Sequence, residues 1–415
     1  MIRTLPLALY GAAMTLLEPF APTVLRGRVR RGREDAGRLG ERLGRATVAR
    51  PPGPLFWLHG VSVGETTSLL PLVGALQAAR PDATILVTSG TVTAAAMLAE
   101  RLPLGVIHQF APVDTPGAVG RFLDHWRPDL AVFVESELWP NLILAAKARG
   151  TRLALVSARM TEASARRWAG WPASARTLLA AFDVILPQDE ATAERLRRLG
   201  ARPDGELNLK RMGEALPADP EALARLREAA GRRPVVLAAS THEGEERLIV
   251  DAFLSAVGDP GEALLIIAPR HPRRSGKLRD DLHATSRAAS EPPIGPVHLA
   301  DTLGELGLFF RLADVVVMGG SFVPGIGGHN PLEPARIGRP ILTGPHVANA
   351  AELYAELVAE AAAIQAPDAA TLARHIRGLL DNPAIARRMG EAALAYANRQ
   401  SASLDEAIAL LARPA

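Results

Sequence analysis

The stretch Leu55-Phe56-Trp57-Leu58-His59-Gly60-Val61-Ser62-Val63-Gly64-Glu65-Thr66-Thr67 decides the fold. Its first residues are a short apolar run, which reads as a buried strand. Two glycines then break the run, and a helical pattern starts at once behind them. A strand, a glycine-containing turn and a helix form the opening half of a βαβ unit. Outward from this stretch the unit recurs. Ala83–Thr88, Leu130–Glu135, Leu153–Ser157 and Val184–Pro187 read as further buried strands. Thr66–Ala79, Thr93–Arg101, Asn141–Ala148 and Glu190–Leu199 read as crossover helices, with Gly150 and Gly200 as their C-caps. Such alternation predicts an α/β domain with a parallel sheet.

After a passage rich in proline, glycine and charge from Arg202 to Arg233, a second series begins. Its strands are Val235–Ala239, Leu264–Ala268, Val297–Leu299, Val315–Met318 and Ile341–Thr343. From Glu352 to Ala415 the pattern is helical and alanine-rich, with no strand signal after about Ile364. The expected organisation is a membrane-associating segment at 1–33, an N-terminal α/β domain at 34–205, a linker region at 206–232, a second α/β domain at 233–390 and a helical segment at 391–415. A chain of 415 residues exceeds the size at which one core stops growing, which agrees with two domains. Two doubly wound, Rossmann-type domains on one linker are expected to face a cleft, with ligands beyond the carboxyl ends of the strands.

Composition narrows the chemistry. With 48% hydrophobic and 22% charged residues the chain is not disordered. It has no cysteine, which excludes a disulfide framework, thiolate metal sites and a cysteine nucleophile. A net charge of +3 does not imply a nucleic-acid partner. The distribution of that charge says more, because Arg26, Arg28, Arg30, Arg31 and Arg33 follow directly on a mostly apolar stretch from Leu5 to Leu25. This predicts a helix attached to a membrane surface, its arginines facing anionic headgroups on the cytoplasmic side. Pro6, Glu18, Pro19 and Pro22 interrupt the stretch, so spanning and lying in the interface are both open, as is packing on the protein's own surface.

The strand-end turns carry the candidate site. Glu65 opens a helix after two glycines, where it either satisfies free amides or serves as a general base. Thr88-Ser89-Gly90-Thr91-Val92-Thr93 offers hydroxyls and helix amides to an anionic group or simply caps its helix. Glu135 and Glu137 flank the strand end before Trp139-Pro140-Asn141, and the sequence does not divide their roles. In the second domain Pro269-Arg270-His271-Pro272 places a cation and an imidazole as a phosphate clamp needs. Gly319-Gly320-Ser321-Phe322 leads into Gly327-Gly328-His329-Asn330-Pro331-Leu332-Glu333-Pro334. There glycines admit a ligand to the backbone, and Glu333 lies in a first helical turn, placed to accept from ribose hydroxyls. No Asp-x-Asp stands at a strand end, so neither an obligatory divalent ion nor another cofactor is expected.

Taken in order, Arg38-Leu39-Gly40-Glu41-Arg42, Gly64-Glu65, Glu135-Ser136-Glu137-Leu138-Trp139-Pro140-Asn141, Asn208-Leu209-Lys210, Pro269-Arg270-His271-Pro272, Gly327-Gly328-His329-Asn330-Pro331-Leu332-Glu333-Pro334 and Thr343-Gly344-Pro345-His346 resemble the Kdo transferases of lipopolysaccharide synthesis. That resemblance implies a GT-B-like glycosyltransferase at the cytoplasmic face of the inner membrane, moving 3-deoxy-D-manno-octulosonic acid (Kdo) from CMP-Kdo to a lipid A precursor (lipid IVA) with inversion. It implies Glu65 as the base, Glu137 and Lys210 as groups that stabilise transition-state charge, and Pro269, Arg270, Leu303, Gly304, Glu305, Asn330, Pro331, Leu332 and Glu333 as contacts to CMP. The sequence departs from the family pattern at Glu206-Leu207, where a glycine-containing turn is usual, and at Arg211-Met212, where an aromatic-acid pair is usual. It also lacks the family's proline within Thr88–Thr93. Two other readings compete: a GT-B transferase using a UDP-sugar and another lipid acceptor, and a catalytically silent sugar-nucleotide-binding membrane protein.

Overall fold

A computed structural model describes residues 4–413. Its contacts divide into two compact units, one holding the described residues up to Met212 together with those from Gln400 on, the other holding Gly213–Arg399.

The first unit is built on six parallel strands: β1 (Leu55–His59), β2 (Thr84–Ser89), β3 (Ile107–Phe110), β4 (Leu130–Val134), β5 (Arg152–Ala158) and β6 (Val184–Pro187), ordered β3-β2-β1-β4-β5-β6. Every residue of β1 and β4 is buried, as central parallel strands covered on both faces require. Trp57, Phe122, Trp126 and Phe133 fill one face. Leu58, Leu72, Leu76 and Val132 fill the other, joined by Ala407 and Leu411 from the far end of the chain. The sequence pattern did not reveal β3 or the helix Pro116–Trp126 that follows it. β3 is an edge strand whose Ile-His-Gln-Phe run carries two polar residues, so it lacks the apolar signal of its neighbours.

The second unit holds seven parallel strands: β7 (Val235–Thr241), β8 (Leu264–Pro269), β9 (Thr285–Ser286), β10 (Val297–Leu299), β11 (Val315–Met318), β12 (Ile341–Thr343) and β13 (Ala363–Gln365), ordered β13-β12-β11-β7-β8-β10-β9. The two-residue β9 is too short to leave a periodic signal. Each sheet has one bulge, at Ser157 in β5 and at Ser240 in β7, and both serines take a left-handed φ, 48° and 58°. A bulge at that point bends the strand end and re-aims the turn behind it.

The apolar N-terminal stretch folds as a helix Leu5–Leu17, a short turn Glu18–Phe20 and a second helix Ala21–Val29. Among the described residues no helix is long and apolar enough to cross a membrane. One side packs on the first unit through Leu7, Gly11 and Leu25. Glu18 accepts from the Gly117 N–H at 2.8 Å and pairs with Arg121 at 3.2 Å, and the Tyr10 hydroxyl donates to Asp114 at 2.9 Å. The other side leaves Leu5, Leu9, Leu16, Phe20 and Val24 exposed. Of the five arginines that follow, Arg28 turns inward to the buried Glu34 at 2.8 Å.

The helical C-terminal stretch is one long helix, Pro383–Leu411, whose last turns belong to the first unit. The Arg152 guanidinium fastens them by donating to the carbonyls of Leu410, Leu411 and Arg413 at 2.7–3.2 Å.

Candidate active site

In a doubly wound sheet the chain runs outward in opposite directions from two adjacent central strands, and their carboxyl ends open a crevice where the order reverses. Here those pairs are β1 and β4 in the first sheet and β7 and β11 in the second. The turns behind them carry Glu65 and Glu135–Asn141 in one unit, and His242–Glu246 and Gly319–Phe322 in the other. Glu65, Glu137 and Asn330–Glu333 therefore follow strands at the two reversal points, one in each unit, while Lys210 follows β6, Pro269-Arg270 end β8 and Leu303–Glu305 follow β10.

In the first unit Ser62 and Glu65 form a reciprocal cap on the helix Val63–Ala79. Glu65 accepts from the N–H groups of Val61 (2.6 Å) and Ser62 (3.4 Å) and from the Ser62 hydroxyl (3.1 Å). The cap fixes the carboxylate at the strand end, and the residue stays only half-buried. On the neighbouring turn Glu135 has a left-handed φ of 54° and is 8% exposed. Its carboxylate meets Lys210 Nζ at 2.7 Å. The short turn Leu209–Arg211 delivers that lysine, with Asn208 Oδ1 accepting from the Lys210 N–H and the Ser157 hydroxyl accepting from that of Leu209. Among the described residues Glu137 has no such cation. Burial raises its carboxyl to about 7, the Trp139 indole N–H opposes the rise, and the charges of Glu65 and Glu135 add to it. The two acids that the sequence left undivided thus differ: Glu135 is paired and buried, while Glu137 lies within electrostatic reach of Glu65 and holds its proton into the neutral range. The structure joins Lys210 to Glu135 and not to Glu137.

In the second unit Pro269, Arg270, Leu303 and Gly304 line one small cavity of about 120 Å³ with Ser240 and Phe309. Leu303 is largely exposed. Glu305 is held by Arg287 at 2.7 Å and by the Thr302 hydroxyl. Asn330 Oδ1 accepts from the Leu332 N–H at 3.1 Å as the chain turns into the helix Leu332–Ala335. Burial raises the Glu333 carboxyl, against the charges of Arg336 and Arg270. Arg270, Glu333 and the small cavity therefore belong to one neighbourhood.

Two residues here went unread in the sequence. Glu245 is fully buried and accepts from the N–H groups of His242 (2.9 Å), Gly320 (2.7 Å) and Phe322 (2.8 Å), tying the turn behind β7 to that behind β11. A signal for it existed, since Gly244-Glu245 opens a helix behind a strand as Gly64-Glu65 does. His242 stacks on His329 with ring centroids 5.0 Å apart and their Nε2 atoms at 2.8 Å. Burial lowers both imidazoles. Gly320 permits this approach, because a Cβ there would lie 2.9 Å from the His329 ring.

Two Rossmann-like parallel-sheet units, each with its polar residues at a reversal point, define the class as a GT-B-like α/β protein. A glycosyltransferase from Rickettsia africae shares the fold, with a TM-score of 0.55 at 11% identity over 87% of this chain and 98% of that one. Residues 37–212 match the family described as 3-deoxy-D-manno-octulosonic-acid transferase (kdotransferase). The 3-deoxy-D-manno-octulosonic acid transferase of Rickettsia bellii is 32% identical over 98% of this chain and 99% of its own length, and that of Bordetella pertussis is 35% identical over 93% and 95%. The chain belongs to the 3-deoxy-D-manno-octulosonic acid transferase family of glycosyltransferases.

Proposed function

We propose that this chain transfers Kdo from CMP-Kdo to a lipid A precursor, lipid IVA, with inversion at the anomeric carbon. The observation that carries this reading, beside family membership, is the half-buried Glu65 fixed at the first reversal point within electrostatic reach of Glu137. Glu65 takes the proton of the acceptor hydroxyl. The oxygen attacks the anomeric carbon while the bond to the CMP phosphate breaks, and CMP leaves with the electron pair. A sugar carbon losing its leaving group has oxocarbenium character, which nearby carboxylates stabilise. Glu135 and Lys210 form one ion pair and hold the acidic turn in place. Arg270, with Pro269, Leu303, Gly304, Glu305 and Asn330–Glu333, binds CMP, its guanidinium offsetting the phosphate charge.

The acceptor's acyl chains stay in a bilayer, and the N-terminal helices suit that surface. Leu5, Leu9, Leu16 and Phe20 present an exposed apolar face, and Arg26, Arg30, Arg31 and Arg33 are exposed beside it. Such a helix pair lies in the interface, held by burial of apolar area and by attraction to anionic lipids. In this reading the catalytic units lie at the cytoplasmic face of the inner membrane. The decisive experiment is transfer from CMP-Kdo to a tetraacylated lipid A precursor by the purified protein, with products resolved by mass. A Kdo adduct is the expected product. Absence of the adduct, together with preferential binding of UMP over CMP, overturns the reading.

A further inference from the structure

Three histidines meet at the reversal point of the second unit, and no step of the reaction proposed above uses them. His242 stands behind β7, His271 behind β8, and His329 directly before the proposed nucleotide-contact run Asn330–Glu333. The His242 and His329 rings lie 11° from parallel, with Nε2 facing Nε2 at 2.8 Å. The His271 ring stands edge-on to His242, centroids 5.9 Å apart. The pair is fixed through its backbone. The His242 N–H donates to the buried Glu245 at 2.9 Å, and the His329 carbonyl accepts from the Tyr354 hydroxyl at 2.8 Å.

Two ring nitrogens at 2.8 Å form a hydrogen bond only if one carries a proton and the other does not. In the neutral pair the accepting ring therefore keeps its proton on Nδ1, and the donating ring has a bare lone pair on Nδ1. Neither Nδ1 has a hydrogen-bond partner among the described residues. One further proton fits on the bare Nδ1 without breaking the bond between the rings. The pair then holds a single positive charge, strengthens its own bond and presents both Nδ1 atoms as donors. A second proton would set N–H against N–H, so the capacity of the pair is one.

The surroundings hold that proton off in the free protein. Burial is the first cause that lowers both imidazoles. His271 and Arg274 add to it at His242, and Arg270 and His271 add to it at His329. Glu245 opposes the fall at both rings and Glu246 at His242. Those two carboxylates are already engaged, Glu245 by three backbone N–H groups and Glu246 by Arg274 and the Thr241 hydroxyl, each at 3.1 Å. An anion brought among these cations reverses the balance, because an opposite charge nearby favours the charged imidazole. Departure of CMP supplies one. The phosphate of CMP-Kdo is a diester with one negative charge. It leaves as a monoester with a second pKa of about 6, since the electron pair of the breaking carbon–oxygen bond goes to it.

We propose that the His242–His329 pair takes one proton from water as the second phosphate charge develops, and holds the leaving phosphate through an Nδ1 donor beside Arg270. The proton returns to water when CMP departs. The assignment rests on the CMP-donor reading above, but its chemistry follows the phosphate and not the base, so the two fail separately. Calorimetric titration of the whole protein in buffers of different ionisation enthalpy counts the protons taken up with a nucleotide. At about pH 7.5 free CMP is already a dianion, so a proton gained on binding goes to the protein. The parent gains up to one proton per CMP and none with cytidine. His329→Gln and His242→Gln keep an amide in place of the ring, able to bond its partner but not to take a proton. Both gain none and bind CMP about tenfold more weakly, the loss of a charge-assisted hydrogen bond, while cytidine affinity and the urea midpoint stay those of the parent. In transfer His329→Gln lowers kcat about tenfold and leaves KM for CMP-Kdo unchanged, because the bound donor lacks the second charge. Uptake that persists in both variants, uptake with cytidine, or no uptake by the parent overturns the proposal. A raised KM with unchanged kcat overturns it as well. Preference for UMP, with the same histidine-dependent uptake, overturns the donor reading alone, and binding of neither nucleotide overturns both.

Discussion

Glu65 and Glu245 occupy equivalent places in the two units. Each follows a glycine, opens a helix behind a central strand and accepts a backbone N–H of its own turn. Their fates differ because of the turn next door. Beside Glu245 stand Gly320 and Phe322, whose N–H groups take up its remaining oxygen capacity and bury it completely. Beside Glu65 stands an acidic turn, Glu135-Ser136-Glu137, whose Glu137 lies within electrostatic reach of it and offers it no donor. The same local pattern thus gives a brace in one unit and, in our reading, a base in the other. A strand-end glutamate is free for chemistry only where the adjacent turn declines to bond it.

The largest expected effect tests the base. Glu65→Gln should lower transfer by about 10²–10⁴-fold, the usual contribution of a general base, while CMP affinity and the urea unfolding midpoint stay near those of the parent. Retained transfer would remove the functional half of the contrast. Glu245→Gln should do the reverse. Loss of a buried carboxylate that accepts three N–H groups should cost about 2–4 kcal/mol of stability by urea unfolding and weaken CMP binding. An unchanged midpoint would show that Glu245 is no brace.

Lys210→Ala comes next. It leaves the buried Glu135 without its cation and should cost about 1–2 kcal/mol, an effect that Glu135→Gln in the same chain should largely cancel. The smallest effect concerns Glu137. Its folded carboxyl is raised to about 7 from an ordinary value of 4.5. The folded protein therefore holds this proton where the unfolded chain has released it. The associated stability is fully present below about 4.5 and is lost as pH rises towards 7. Glu137→Gln should flatten that decline in denaturation midpoints measured across the same window.

The fold was legible in sequence wherever a strand is central and mostly apolar, as β1, β4, β7 and β8 are. β3 was hidden by His108 and Gln109 at a sheet edge, and β9 by its two-residue length. The Glu65 turn, the acidic turn and the Pro269-Arg270 turn were legible because glycine, proline and charge at strand ends have few other causes. What sequence could not supply was pairing across distance. Lys210 reaches Glu135 from a turn 75 positions later, and Glu245 bonds amides of residues 320 and 322. Local spacing carries no information on either. The N-terminal stretch was ambiguous for a different reason, since an apolar helix with one packed and one exposed side has the composition of a membrane segment.

Ala407 and Leu411 lie in the core of the first unit, and the carbonyls of Leu410, Leu411 and Arg413 hold the Arg152 guanidinium. These residues leave the ribosome after all of Gly213–Arg399. The core that holds Leu72 and Leu76 therefore lacks two of its apolar residues until the end of the helix has been made. The part of the chain made first is thus completed by the part made last, so the core of the proposed acceptor side cannot be whole before every residue of the proposed donor side has been made.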